Sequence, residues 1–206
     1  KKEFSVTRAK IENPSVELTK KDGVATLSIY RFDSETGVLA KKYAEEIKNE
    51  GISKVILDLR GNGGGYVQAA KTVASLWLEK NALIVSEKTG SKTVEEIRAT
   101  GDNPLKGIKT VILLDGSSAS ASEIVAGALK EHKSAQIVGE KSYGKGSVQT
   151  TIDMPNGALL KVTIAKWFTP SGKNISNNGI SPDIKVSAPK GESYLLNDIQ
   201  KNKALE

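Results

Sequence analysis

The chain has 206 residues, no cysteine, one histidine and a net charge of +6, and 38% of its residues are hydrophobic. This length is sufficient to bury one large core. The absence of cysteine excludes disulfides, thiolate metal ligands and a cysteine nucleophile. The lysines are scattered and not interleaved with aromatic residues, which favours a lysine-rich surface over a nucleic-acid-binding one. No apolar run approaches the roughly 20 residues that span a bilayer.

Apolar runs alternate with helical periodicity through much of the chain. Strands are predicted at 24–29, 54–59 and 110–114, and each is followed by a segment with one apolar face at helical spacing. Three consecutive strand–helix units predict an α/β architecture. Ahead of them, residues 1–22 contain Asn13-Pro14 and are typical of an edge strand or an entering linker.

The remaining segments are shorter. Residues 83–107 are predicted to form a surface hairpin or a flexible loop. Strands are predicted at 135–138, 147–153 and 158–165, and the last two, joined by Pro155-Asn156-Gly157, indicate a C-terminal antiparallel hairpin. Residues 190–206 are polar and are expected to be a frayed tail or the start of a truncated segment. One core domain is therefore assigned to residues 23–189.

A cluster of small residues lies where the third strand turns into its helix, at 116–124. Such a turn exposes a hydroxyl at a helix N-terminus, where unpaired N–H groups and the helix dipole favour developing negative charge. Ser120 is therefore a candidate nucleophile. Ser120 and Glu123 also fit the S-x-x-E capping box, in which Ser120 only caps the helix.

A serine nucleophile needs a base. His132, the one histidine, lies along the same predicted helix, on the order of 18 Å from Ser120 at about 1.5 Å per residue, and is too far away. A lysine kept uncharged by burial is the remaining option. Lys145 lies between Gly144 and Gly146, which allow a close backbone approach, although its position alone is also typical of a surface lysine.

A phosphate-binding loop is the main competing interpretation. Residues 139–145 match G-x-x-x-x-G-K, but Gly146 stands where Ser or Thr would bind Mg²⁺, and a strand is predicted to follow instead of a helix. The glycine-rich stretch 61–65 joins a strand to a helix, but Tyr66 stands at the third-glycine position of G-x-G-x-x-G. Nucleotide binding is therefore disfavoured.

Two motifs resemble the carboxyl-terminal processing peptidases, or tail-specific proteases, a family of Ser–Lys serine peptidases. The pattern S-A-S-E-I stands at 120–124, and G-E-x-x-x-G-K-G-x-V-Q stands at 139–149, which puts the lysine 25 positions after the serine. The resemblance implies that Ser120 is the nucleophile, Lys145 the general base and Gln149 the side chain that orients Lys145. Lys145 and Gln149 differ by an even number and would share one face of a strand.

The stretch 58–65 resembles the family's D-L-R-G-N-x-G-G loop, with Gly63 where the family often has proline. The resemblance implies an oxyanion hole formed by the backbone N–H of Gly64 or Gly65 together with that of Ala121. Segments 167–172 and 179–184 resemble Y-T-P-S-G and G-I-x-P-D and are interpreted as structural.

The resemblance implies an α/β core of the crotonase/ClpP-like type and a serine endopeptidase that cleaves near the C-termini of extended or unfolded proteins. It implies no metal or organic cofactor, polypeptide partners without nucleic acid, and a location in the bacterial periplasm or extracytoplasmic envelope, or in the thylakoid lumen. Family members commonly carry a PDZ domain ahead of the core, and none is recognised here. The alternative is a catalytically silent peptide-binding domain of the same fold.

Overall fold

The structure is a computed structural model that describes residues 13–155, 157–187 and 198–206. In chain order its elements are β1 (Val16–Lys21), β2 (Val24–Ile29), α1 (Thr36–Asn49), β3 (Lys54–Asp58), α2 (Val67–Ser75), β4 (Leu83–Thr89), β5 (Lys92–Arg98), β6 (Lys109–Leu114), α3 (Ala121–Glu131), β7 (Gln136–Gly139), β8 (Ser147–Asp153), β9 (Leu159–Phe168), β10 (Ile184–Lys185) and α4 (Ile199–Leu205).

The described strands form two sheets. The first has six strands in the order β1-β2-β3-β6-β7-β10, and all neighbours are parallel except β1 and β2. The three predicted strand–helix units supply β2, β3 and β6 with α1, α2 and α3, so the α/β architecture is confirmed. A parallel sheet needs such crossovers, and its central strands are buried on both faces.

Alternation along the central strands creates the two buried faces. Val55 and Leu57 of β3 join the main core with the apolar residues of α1, α2 and α3, whereas Ile56 points to the opposite face. There it packs with Leu113 and Val138, and Ala204 of α4 contacts this second cluster. Successive strand side chains point to opposite faces, which explains why these strands are continuously apolar.

The second sheet has four antiparallel strands in the order β5-β4-β9-β8. The predicted hairpin of 147–153 with 158–165 is therefore present, as β8 and β9, but it belongs to this larger sheet. The segment predicted as a hairpin or a flexible loop is the β4–β5 hairpin, and Ile84 and Val85 of β4 are buried in the main core. Asn156, in the predicted turn, lies outside the described residues.

Both ends of the described chain pack against the first sheet. Within the predicted entering segment, Val16–Lys21 forms the edge strand β1, and residues 1–12 lie outside the described residues. Within the predicted tail, Ile199–Leu205 forms α4, and 190–197 lie outside the described residues. In the part of the chain that the structure describes, no helix is both long and apolar enough to cross a membrane.

Three neighbouring parallel strands, β3, β6 and β7, end at one edge of the first sheet. The segments that leave these ends are the glycine-rich stretch 59–66, the small-residue turn 115–120 and the loop 140–146. Carboxyl ends of neighbouring parallel strands are the usual position of active sites in α/β sheets. The topology therefore brings all three sequence motifs to one place.

Candidate active site

Ser120 precedes the first residue of α3 and has an unusual backbone. Its φ of +55° and ψ of −113° lie in a region that non-glycine residues rarely adopt, whereas an ordinary N-cap residue has extended dihedral angles. Such strain costs about 1–3 kcal/mol and is concentrated at functional sites. The capping geometry with Glu123 is present, but helix capping alone does not require this strained conformation. A sharp turn between strand and helix is the setting of a nucleophile elbow.

Glycine residues allow the 59–66 loop to approach Ser120. A Cβ atom added to Gly64 would lie 2.8 Å from the Cβ of Ser120 and 3.0 Å from the backbone nitrogen of Ala121. At Gly65 an added Cβ would lie 2.0 Å from the carbonyl oxygen of Phe32, and the φ of +144° favours glycine. A side chain at Gly64 would push the loop away from Ser120, and one at Gly65 would clash with the backbone of Phe32. An added Cβ at Gly63 meets nothing within 4 Å. Steric contact therefore does not explain why glycine stands there and not the proline that the family often has.

The hydrogen bonds of this loop distinguish the two predicted oxyanion donors. The N–H of Gly64 donates to Oδ1 of Asn62 at 2.8 Å and is therefore engaged. Within the described residues, no backbone acceptor is found for the N–H of Gly65. The N–H of Ala121 is the first of α3, a position that has no intrahelical acceptor. The geometry therefore favours Gly65 over Gly64 as the partner of Ala121, and the role of this pair stays a prediction.

Asn62 holds the glycine-rich loop against the small-residue turn 115–120, the serine turn. Its side chain is fully buried and its Nδ2 donates to the carbonyl oxygen of Ile29 at 2.7 Å. Its own carbonyl oxygen accepts from the N–H of Ala119 and from Oγ of Ser122, each at 3.0 Å. Asn62 was not among the site residues predicted from the sequence. The available signal was a polar residue close behind a buried strand, where burial requires hydrogen-bond partners.

Lys145 is held by its backbone and not by burial of its side chain. A Cβ added to Gly146 would lie 2.3 Å from the backbone nitrogen of Ser176, which confirms the predicted close approach beside a neighbouring turn. The lysine itself is exposed to solvent. The expectation that the Lys145 side chain is buried is therefore wrong for the residues that the structure describes. Its flanking glycines bring the backbone close to other segments, and the side chain leaves that packed region.

Gln149 does not lie on one strand with Lys145. The strand β8 begins at Ser147, so the argument from an even spacing fails because Lys145 precedes the strand. Gln149 is exposed, and its Nε2 lies 3.5 Å from Oγ1 of Thr163 on β9. Its role in orienting Lys145 stays a prediction.

The carboxylate of Glu123 contacts both the serine turn and the loop 140–146, the lysine loop. The backbone N–H groups of Ser120 and Lys145 donate to the same oxygen, Oε2 of Glu123, at 2.8 Å and 2.9 Å. The two residues that the motifs pair are thus neighbours in space. His132 lies at the other end of α3, where its Nε2 is 2.7 Å from the carbonyl oxygen of Leu83, as expected for a residue too far away to act as the base.

Arg60 links the glycine-rich loop to the C-terminal helix. Its guanidinium pairs with Asp58 at 2.6 Å and with Asp198, the N-cap of α4, at 2.7 Å. Burial alone would raise the pKa of Asp198, but hydrogen bonds from Arg60 and from the N–H of Lys201 outweigh it and lower the pKa. Burial opposes the charge of Arg60 as well, and the hydrogen bonds with both carboxylates still raise its pKa.

This bridge predicts an acid-sensitive contribution to stability. A carboxyl group whose pKa is lowered on folding stabilises the protein above its unfolded pKa of about 3.9 and loses that effect as the pH falls through the folded value. We expect Asp198→Asn to lower the free energy of unfolding by about 1–3 kcal/mol at neutral pH, since it weakens charged hydrogen bonds. Near pH 2 the difference from the wild type should shrink.

Urea unfolding of both proteins between pH 2 and 7 measures this effect. Asp102→Asn is the matched control, because Asp102 pairs with Lys41 at an exposed site, where ion pairs contribute little. An Asp198→Asn variant that is equally destabilised at pH 2 and pH 7 would contradict the assignment.

The described residues also line a cavity of about 1070 Å³, which lies away from this site. Its lining includes Lys54, Lys109 and Gln136, the first residues of β3, β6 and β7. It therefore opens at the opposite edge of the parallel sheet from Ser120. Its volume carries no argument about the chemistry of the serine turn.

Comparisons with known proteins agree with the motifs. The family model for peptidase family S41 matches residues 23–186. A probable CtpA-like serine protease of Staphylococcus haemolyticus (strain JCSC1435) is 39% identical over 194 residues, which are 93% of this chain and 39% of the relative. The corresponding protein of Staphylococcus epidermidis (strain ATCC 12228 / FDA PCI 1200) is 39% identical over 204 residues, 98% of this chain and 41% of the relative.

Solved structures have a similar fold. A photosystem II D1 C-terminal processing protease superposes with a TM-score of 0.79 at 30% identity, over 88% of this chain and 50% of that one. A putative S41 protease from Bacteroides fragilis NCTC 9343 has a TM-score of 0.73 at 16% identity, over 96% of this chain and 58% of that one, which supports the fold. The chain spans about two fifths of the length of the curated relatives described above. From the motifs, the fold and these matches together, the chain belongs to peptidase family S41.

Proposed function

We propose that the chain is the catalytic core of a serine endopeptidase that cleaves near the C-termini of extended or unfolded polypeptides. Ser120 is the nucleophile, Lys145 the general base and Gln149 the side chain that orients it. The observation that carries the proposal is the strained backbone of Ser120, pressed against Gly64 at a helix N-terminus. Lys145 is held next to it through the shared carboxylate.

The chemistry needs no group beyond this chain and water. The Lys145 amine takes the proton of the Ser120 hydroxyl as Oγ attacks the scissile carbonyl. The N–H groups of Gly65 and Ala121 stabilise the oxyanion, and each such donor lowers the barrier by about 2.7–4 kcal/mol. The Lys145 ammonium then protonates the leaving amine. Lys145 next takes a proton from the water that attacks the acyl-enzyme, and returns it to Oγ of Ser120 as the acid product leaves.

The exposure of Lys145 adds a condition to this mechanism. A general base must be uncharged, and expulsion of water disfavours an ammonium. We therefore propose that the bound polypeptide covers Lys145 during turnover. An enzyme that completes its site only around a bound chain would discriminate in favour of extended substrates.

The choice of substrate rests on the relatives. One similar solved structure is that of a photosystem II D1 C-terminal processing protease, and the curated relatives are probable CtpA-like serine proteases. We carry this over as cleavage close to a polypeptide C-terminus. For the location we propose the bacterial periplasm or another extracytoplasmic compartment of the cell envelope, with the thylakoid lumen as the alternative.

Fragment mapping by mass spectrometry tests this function. An unfolded protein is supplied with a free or an amidated C-terminus, and we expect cleavage near the C-terminus that weakens when the carboxylate is blocked. Folded forms of the same substrate should be spared. If the unfolded substrate binds but yields no new fragments, the result would instead support the alternative, a catalytically silent peptide-binding domain of the same fold.

A further inference from the structure

The carboxyl group of Glu123 is fully buried at the start of α3 and carries more hydrogen bonds than a helix cap requires. We infer that Glu123 is a positioning residue that fixes the lysine loop against the serine turn, and so sets the distance between Lys145 and Ser120. The inference rests on the proposed Ser–Lys chemistry. A capping box would use this side chain only to accept from the N–H of Ser120.

Four donors from two segments surround the two carboxylate oxygens. Oε2 accepts from the N–H groups of Ser120 at 2.8 Å and Lys145 at 2.9 Å. Oε1 accepts from Oγ of Ser142 and from the N–H of Gly144, each at 2.6 Å. Three of the four donors therefore come from the loop 140–146, and the fourth is the nucleophile's own backbone.

A third segment is tied to the same carboxylate through Ser142. The Ser142 hydroxyl accepts from the N–H of Ile180 at 2.7 Å, and the Ser142 N–H donates to the Ile180 carbonyl oxygen at 3.1 Å. The segment 179–184, which was interpreted from the sequence as structural, thus supports the lysine loop through its hydrogen bonds with Ser142. The N–H of Asn177 adds a bond of 2.9 Å to the carbonyl oxygen of Gly144.

Only an ionised carboxylate suits these four donors. Its two oxygens offer about four acceptor sites and no donor, whereas the amide of a glutamine would turn an NH₂ group toward one of the two donor pairs. A buried charge is tolerated because hydrogen bonds compensate it. Both oxygens are occupied by the backbone and by Ser142, so Glu123 acts on Lys145 through its main chain and not as a counter-ion of its amine.

The lysine loop needs such an anchor. Lys145 is exposed and stands between two glycines, which restrict the chain less than other residues do. Without the Glu123 carboxylate, Lys145 loses its described backbone hydrogen bond beside Ser120, whereas the loop keeps the bond from the N–H of Tyr143 to the carbonyl oxygen of Ser118 at 3.0 Å. A displacement of about 1 Å between reacting groups lowers the rate by about 10²-fold.

Glu123→Gln tests the inference, with Glu131→Gln as the matched control. Glu131 lies at the other end of the same helix and also accepts several hydrogen bonds, from Oγ1 of Thr169 at 2.8 Å and from the N–H and Oγ of Ser171 at 2.7 Å each. Both variants lose charged hydrogen bonds, but only Glu123 touches the site. We expect kcat to fall by about 10²-fold in Glu123→Gln with KM within a few-fold, and to stay unchanged in Glu131→Gln.

A second readout is independent of activity. In the wild type, hydrogen exchange should be slow at the N–H of Lys145 although its side chain is exposed, and Glu123→Gln should accelerate it. Fast exchange in the wild type, or an unchanged kcat in a folded Glu123→Gln variant, would overturn the inference. A wild type that cleaves nothing but protects this N–H would count against the proposed function and leave the positioning intact.

Should Glu123→Gln fail to fold, Ser142→Ala removes one of the four donors and leaves the carboxylate, Ser120 and Lys145 in place. We expect this variant to be folded, with kcat lowered several-fold and KM unchanged. If Ser142→Ala and Glu131→Gln lost activity equally, each in proportion to its loss of folded protein, Glu123 would have a purely structural role.

Discussion

Ser120→Ala is expected to abolish peptide hydrolysis and to leave the fold in place. Loss of the nucleophile removes the acyl-enzyme route, and comparable losses in serine peptidases are about 10⁴-fold or more. The structural cost is small, because the hydroxyl contributes at most a helix cap of about 1 kcal/mol. Hydrolysis of an unfolded protein, measured per folded molecule, gives the rate, and circular dichroism reports the fold.

Ser120→Gly separates the chemistry from the strained backbone. Glycine adopts positive φ without a steric cost, so this variant should be at least as stable as Ser120→Ala, although it is equally inactive. The comparison matters because the φ of +55° is the main structural argument for the role of Ser120. A wild-type rate in either variant would show that another group is the nucleophile.

Local patterns in the sequence predicted the architecture. Continuous apolar runs at β3 and β6, each followed by a helical period, indicate a parallel sheet buried on both faces, and the structure has this sheet. The position of Ser120 followed from the same patterns, since the end of a central strand and the start of a helix are both visible in the residues. Pairing between distant segments, such as β4 with β9, has no local signal and was not predicted.

The arrangement of the site was less predictable for the same reason. Glu123 was recognised only as a capping partner, because its three other donors lie about 20 residues further along the chain. The link between Arg60 and Asp198 spans 138 residues and was likewise missed. Burial of Lys145 was inferred from what the chemistry needs and not from its neighbours, and that inference was wrong for the described chain.

Lys145→Arg is expected to be as inactive as Lys145→Ala, with a loss of about 10²–10⁴-fold in kcat from the missing general base. A guanidinium stays charged at any accessible pH and cannot accept the proton of Ser120, so retention of positive charge should give no rescue. The free energy of unfolding of both variants should lie within about 0.5 kcal/mol of the wild-type value, because the side chain is exposed and the backbone hydrogen bond of residue 145 to Glu123 remains.

Lys141 provides the matched control for Lys145. It lies four positions earlier in the same loop and is exposed as well, so Lys141→Arg and Lys141→Ala test whether any lysine of this loop supports turnover. We expect both to retain the wild-type kcat. A Lys145→Arg enzyme with substantial activity would mean that positive charge, and not proton transfer, is what Lys145 supplies, and the Ser–Lys mechanism would then be wrong even if Ser120 remained essential.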